Sequence, residues 1–252
     1  MSELIIPNQK LVERSIKSFF NLFFPEAQLF ADYEIDINEQ TIQEKLDLIL
    51  SGLTDNGRKI TQKFFEDIEN IKEILLNDAN YMLESDPAAN SRMEVISLYP
   101  GFYALFCYRI AHYLIKHNIP LLPRMITEYA HRRTGIDIHP AATIGSPISI
   151  DHGTGIVIGG TTVIGNFVKI FQGVTLGALS LDKSKSSTKR HPTVEDNVIL
   201  YAGCTILGGD TVIGNNSIIG GNVWLTDSID PFSVVYHKSE VIIRNLNGAG
   251  NL

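Results

Sequence analysis

In the stretch Ser149-Ile150-Asp151-His152-Gly153-Thr154-Gly155-Ile156, a carboxylate and an imidazole stand side by side inside a run of isoleucines. Imidazole, with an ordinary pKa of about 6.5, is the side chain best suited to take a proton from a hydroxyl near neutral pH. Packing explains it poorly, because a titratable ring is seldom chosen to fill an aliphatic core. Other residues of useful chemistry are scattered along the chain: Asp86 before Pro87, Asp137 and His139 in the segment DIHP, and Arg190-His191 before Pro192. Taken singly, each has an ordinary structural reading. Asp86 fits a helix N-cap with Pro87 at the first helical position, Asp137 a turn acceptor at a strand start, and His191 a surface turn. His112, His117, His131 and His237 carry no motif and read as structural or solvated.

The elements that must position these groups change character part-way along the chain. Through about residue 135 the apolar residues recur at helical spacing, as in Leu46, Ile49 and Leu50, or Phe102, Leu105, Ile110 and Leu114. This predicts a helical bundle over 1–135, punctuated at Asn56-Gly57 and at Tyr99-Pro100-Gly101. From Ile138 the aliphatics recur every six residues: Ile138, Ile144, Ile150; Ile158, Ile164, Ile170, Leu176; Val194, Leu200, Ile206; Ile213, Ile219, Leu225. Such a hexapeptide beat predicts a parallel β-helix over 136–235, in which each short strand stacks on the one a coil earlier and the aliphatics fill the bore. Thr162, Val168, Val174, Val198, Cys204 and Val223, four places on, fit the same inward face. Residues 236–252 form a C-terminal tail.

The beat slips three times. Ile150 to Ile158 takes eight residues and contains Asp151-His152. Between Leu176 and Val194 lies GALSLDKSKSSTKRHPT, too rich in Lys and Ser to pack inside a coil, so residues 178–192 are expected to loop out. One extra residue separates Ile206 from Ile213 and suggests no function. Extrusions mark where a site can be built, because only there is the repeat released from filling the bore.

Composition narrows the partners. With 252 residues, 44% of them hydrophobic, the chain can bury a large core in two units. A net charge of −7 without a Lys/Arg stripe argues against nucleic acid or an anionic membrane surface. No long apolar span or secretory leader is read, and the two cysteines, Cys107 and Cys204, have no metal-ligand spacing, so a cytoplasmic protein with packing cysteines and no metal is expected.

With a helical first part, a hexapeptide coil, DIHP, DHGTGIVIG, VTLGA and KRHP in that order, the chain resembles the serine O-acetyltransferases of the hexapeptide-repeat acyltransferase superfamily. The resemblance runs from about Asp86 to about Val235. It implies an α + β fold, a helical bundle followed by a left-handed parallel β-helix, assembled as a homotrimer or a hexamer of two trimers with sites between neighbouring coils. It also implies acetyl-CoA and L-serine as substrates, cysteine as a feedback inhibitor, and O-acetylserine sulfhydrylase as a partner engaged through the C-terminal tail, here Gly248-Ala249-Gly250-Asn251-Leu252. Motif by motif, His152 takes the place of the family's general base and Asp137 of the carboxylate that orients it. Asp86, Asp151, Arg190 and His191 take the places of the serine pocket, and backbone at Gly177, Ala178 and Ala202 those near acetyl-CoA. The link before Arg190-His191 is longer and richer in lysine than the family's; Lys183, Lys185 and Lys189 are expected near the coenzyme's phosphates.

The chemistry suits these types. A serine hydroxyl becomes a nucleophile only as its proton leaves, a carboxylate on one ring nitrogen fixes the base, and backbone N–H groups at Gly177-Ala178 suit an oxyanion. An amino acid carries both signs, so Asp86 and Asp151 face its ammonium or hydroxyl and Arg190 its carboxylate. Rival readings are a hexapeptide acetyltransferase for homoserine, a sugar or a xenobiotic, a non-catalytic scaffold, and a zinc enzyme. The last needs converging histidines, whereas His139 and His152 are thirteen residues apart and each has a turn or motif role.

Overall fold

Residues 6–27, 38–179 and 188–238 are described by the computed structural model. Among the described residues seven α-helices come first: α1 (Gln9–Phe23), α2 (Glu39–Ser51), α3 (Gly57–Glu66), α4 (Ile68–Ser85), α5 (Arg92–Leu98), α6 (Pro100–Lys116) and α7 (Leu122–Thr134). Their ends follow local chemistry. Asn8 and Asn38 cap α1 and α2 by accepting the N–H groups of Lys10 and Thr41. Pro100 begins α6, and Gly135, at φ 71°, ends α7 in the left-handed conformation. Phe19, Phe20 and Phe23 of α1, with Phe24 capping its end, interlock with Phe64 of α3 and with Phe102 and Phe106 of α6, mostly edge to face. The expected inward residues of α2 and α6, Leu46 to Leu114, are buried.

One expectation fails at Asp86. The residue closes α4 and does not begin the next helix, for the start of α5 is set further on by a capping box. There Ser91 Oγ accepts the N–H of Glu94 while the Glu94 carboxylate accepts that of Asn90. Asp86 does accept an N–H two residues on, from Ala88, but as a turn between helices.

Fourteen short strands follow among the described residues, from β1 (Asp137–Ile138) to β14 (Val234–Val235). They stack in parallel as three sheets, a left-handed β-helix of about 5 turns. The registers are those of the six-residue beat: Ile138, Ile158, Leu176, Ile206 and Leu225 form one inward column, and Ile150, Ile170, Leu200 and Ile219 another. Thr162, Val168, Val174, Val198, Cys204 and Val223 also point into the bore, each no more than 4% exposed. The extra residue before Ile213 has a structural use. It lets Gly209 sit against the backbone of Lys189, where a Cβ would come within 2.2 Å of the Lys189 carbonyl oxygen, and so leaves room for residues 188–192; most of the expected loop over 178–192 lies outside the described residues.

A buried polar seam joins the helices to the coil. Asp78 of α4 and Arg109 of α6 pair at 3.0 Å with 0% and 9% side-chain exposure. Arg109 donates to the carbonyls of Ile144 and Gly145, and Asp78 accepts from Ser146 Oγ and the N–H of Ile148. Gly101 packs on the Ile150 carbonyl, leaving 2.4 Å for any Cβ. This seam sets the end of α4, and hence Asp86, over the coil corner that carries Asp151.

Candidate active site

The first sheet of the coil, which contains β1, lies between two corners of the prism, and the candidate residues collect at both. At the corner entering that sheet, the eight-residue step adds two residues to the six-residue repeat. His152, Gly153 and Gly155 take φ values of 58°, 90° and 83°, which turn the chain outward and back. Gly153 must lack a side chain, since a Cβ would meet Ile136 at 2.5 Å. The His152 side chain is 71% exposed, whereas Asp151 beside it is only 14% exposed and lies 3.8 Å from the ring. Asp151 also faces the ammonium of Lys169 at 3.7 Å. That lysine, on β6 (Val168–Ile170), donates to the Ser85 carbonyl at 2.6 Å and lies over the Phe171 ring.

Across the same corner, the Asp86 carboxylate accepts the Tyr99 hydroxyl at 2.6 Å. That bond first, then the Ala88 N–H and the nearby Lys169 and His152, holds Asp86 below the usual carboxylate range. The same bond raises Tyr99 to about 12, so its hydroxyl stays a donor.

At the opposite corner an open cleft of about 290 Å³ is bounded by Arg124, Asp137, His139, Arg190 and His191. Thr161 organises it. Its hydroxyl accepts the N–H groups of Arg190 and His191, while its own N–H and hydroxyl meet His191 Nδ1 at 3.1 and 2.8 Å. Because Nδ1 accepts a backbone N–H, the neutral ring carries its proton on Nε2 and presents it as a donor. Burial, then the charges of Arg190 and Lys189, lowers His191 to about 4. His139 is likewise held as an Nε2–H donor, because its Nδ1 accepts the Ala141 N–H and burial lowers its pKa. Only glycine fits at 159, where a Cβ would lie 2.0 Å from the His191 ring. The Nε of Arg190 is buried without a partner among the described residues, as is Gln172 Oε1 at the first corner.

The expected site residues are therefore divided. Asp86, Asp151, His152 and Ala202 lie at the first corner; Arg190, His191 and the Gly177-Ala178 segment lie at the second, with Asp137 facing it. Within one chain Asp137 does not reach His152. It alternates onto the same face as His139 and pairs at 3.5 Å with Arg124, which also binds Glu128. Asp137, Glu128 and His131 bring ligand atoms within 4.8 Å of one another, and the guanidinium of Arg124 supplies positive charge among them. Lys189 folds its ammonium back onto the His191 carbonyl. Lys183, Lys185 and the C-terminal residues lie outside the described residues. Tyr99, Lys169, Thr161 and Arg124 were not legible as site residues. Each stands in an ordinary helical or coil position, and only packing brings it a partner: the end of α4 for Tyr99 and Lys169, residues 190–191 for Thr161, and Asp137 of β1 for Arg124.

No protein-family model matches the chain. It is 46% identical over 200 residues to a plasmid-encoded serine acetyltransferase of Synechococcus elongatus, a match covering 77% of this chain and 61% of that protein's length. With the Bacillus subtilis serine acetyltransferase it shares 43% identity over 172 residues, 68% of this chain and 77% of that one. The chain belongs to the serine acetyltransferase family. The fold of Entamoeba histolytica serine acetyltransferase 1, solved in complex with L-cysteine, matches with a TM-score of 0.76 at 34% identity, covering 89% of this chain and 86% of that one. The Neisseria gonorrhoeae serine acetyltransferase in complex with serine matches with a TM-score of 0.66 at 26% identity, over 94% and 98% of the two chains.

Proposed function

We propose that this serine acetyltransferase moves the acetyl group of acetyl-CoA to the hydroxyl of L-serine, giving O-acetyl-L-serine and CoA for cysteine synthesis. The observation that carries the reading is the division of charge. One corner offers Asp86 and Asp151 beside the exposed His152, and the other offers the unpartnered Arg190 Nε with the Nε2–H of His191. Ammonium and carboxylate of one amino acid fit those two halves, and a sugar uses neither charge.

The corners flank a sheet of one chain, so a complete site takes its acidic half and its basic half from neighbouring chains. A homotrimer, paired into a hexamer through the helices, supplies that arrangement. Asp137 of one chain then faces His152 of the next and holds its ring. His152 accepts the serine proton as the hydroxyl oxygen attacks the thioester carbonyl. Backbone N–H groups at Gly177-Ala178 face the oxyanion; the C–S bond then breaks, and the imidazolium returns the proton to the departing thiolate. No acyl-enzyme is required, and neither cysteine suits one. Cys107 and Cys204 are buried, and burial raises both thiols, Cys204 to about 12.

For acetyl-CoA, the small side chains of Ala178 and Ala202 suit close approach to the coil backbone. L-cysteine, a thiol isostere of serine, competes for the same pocket and acts as feedback inhibitor. A cytoplasmic location accords with there being no membrane-length apolar helix among the described residues. Docking of the tail on O-acetylserine sulfhydrylase rests on the resemblance alone. A thiol-release assay with acetyl-CoA and serine, homoserine, threonine or a galactoside tests the reading. Serine should be the preferred acceptor; preference for homoserine or the galactoside would overturn it.

A further inference from the structure

Two carboxylates in one small pocket repel, and each raises the other's pKa unless a cation stands by them. Asp86 and Asp151 come from different parts of the fold, the end of α4 and a coil corner, so something must also hold them in register. Lys169 touches both requirements. Its stem leaves β6, its ammonium donates to the Ser85 carbonyl in the last turn of α4, and it faces Asp151 at 3.7 Å over the Phe171 ring. The side chain is only 16% exposed, so its charge is poorly screened.

We propose that Lys169 is the positioning residue of the amino-acid subsite: it ties the end of α4 to Asp151 and offsets one of the two carboxylates. The pocket thereby keeps one uncompensated negative charge for one substrate ammonium. This rests on the amino-acid acceptor proposed above. The other charged or titratable groups around the pair are Tyr99 and Glu94 on the helical side, Tyr81 and Glu84 in the last turns of α4, and His152 on the corner. Tyr99 donates to Asp86 without adding charge, and Glu94 and Glu84 add negative charge, so Lys169 and, when protonated, His152 are the cations of this pocket among the described residues.

Lys169→Met and Lys169→Arg, measured on the full chain, test this. Lys169→Met should raise KM for serine about tenfold, because the charge-assisted tie that sets Asp86 and Asp151 in register is lost, with kcat within about twofold and KM for acetyl-CoA unchanged. Its acid limb for serine should move to higher pH, because the carboxylate pair now holds a proton longer. Lys169→Arg, which keeps the charge and the reach to Ser85, should restore most of the loss. A readout independent of activity is the melting temperature against pH. Like-charge repulsion in Lys169→Met is relieved on protonation, so its deficit against wild type should shrink as pH falls from about 7 to 4. An unchanged KM for serine, or a deficit constant across pH, would overturn the proposal. A wild type that acetylates no amino acid while the pH-dependent deficit persists would refute the acceptor assignment and leave the charge-offset role of Lys169 standing.

Discussion

A base must be reachable, and a histidine held inside a stack of coils is not. The left-handed backbone at His152 and the glycines after it throw the ring into solvent, so its replacement disturbs little packing. His152→Asn should therefore keep the wild-type melting temperature and lower kcat by about two to four orders of magnitude, the usual contribution of a positioned base. Near-normal turnover in that variant would remove His152 from the mechanism. His191 behaves in the opposite way, buried and neutral. Its folded value of about 4 lies below the ordinary histidine value. The unfolded chain consequently binds this proton first, and stability falls as pH drops from about 6.5 towards 4. Thermal melts should show that His191→Gln, which has no such proton to gain, loses ground to wild type at pH 7 and recovers part of it at pH 5.

Among the elements, α4 has the most to hold. Its last turn carries the Asp86 turn and accepts from Lys169, and its middle is locked by Asp78 to Arg109 and to the corner at Ser146. Asp78→Ala would leave a buried guanidinium without its partner, at a cost of about 3–5 kcal/mol in urea denaturation. The double variant Asp78→Ala, Arg109→Met should be less destabilised than Asp78→Ala alone, because no uncompensated charge remains. The helical spacing of α2 and α6 and the six-residue beat were legible because each reports one buried face repeated many times. The reading of Asp86 as a helix start failed because a carboxylate before proline satisfies an N–H in a turn as readily as in a first helical turn. Only Ser91 and Glu94, whose side chains take the N–H groups of Glu94 and Asn90 at the start of α5, distinguish the two.

At the scale of the molecule, the proposed function has the acidic corner and the basic cleft of one chain serve different sites. Two inactive variants should then complement each other. Chains carrying His152→Asn and chains carrying Arg190→Ala, co-expressed in equal amounts, should regain about a quarter of wild-type activity, since a randomly mixed trimer gives that share of intact sites. Homotrimers of either variant supply the baseline. If the mixture stays at that baseline while mass spectrometry shows mixed trimers, both residues act in the site of a single chain.

The sequence by itself determined the two parts of the chain, the inward columns of the coil, the burial of both cysteines and the break in the beat that exposes His152. All of these follow from periodicity and from its interruption, which are local properties of a chain that repeats. Only the tertiary structure decided which charges meet. Lys169 sits at a regular coil position and Thr161 beside an ordinary turn, and neither departs from its repeat. What gives them a role is the end of α4 laid across one corner and the Arg190-His191 backbone laid across another. Such contacts join residues eighty-four and twenty-nine positions apart. No period in the sequence encodes them, because they depend on how one packed element is docked on the next.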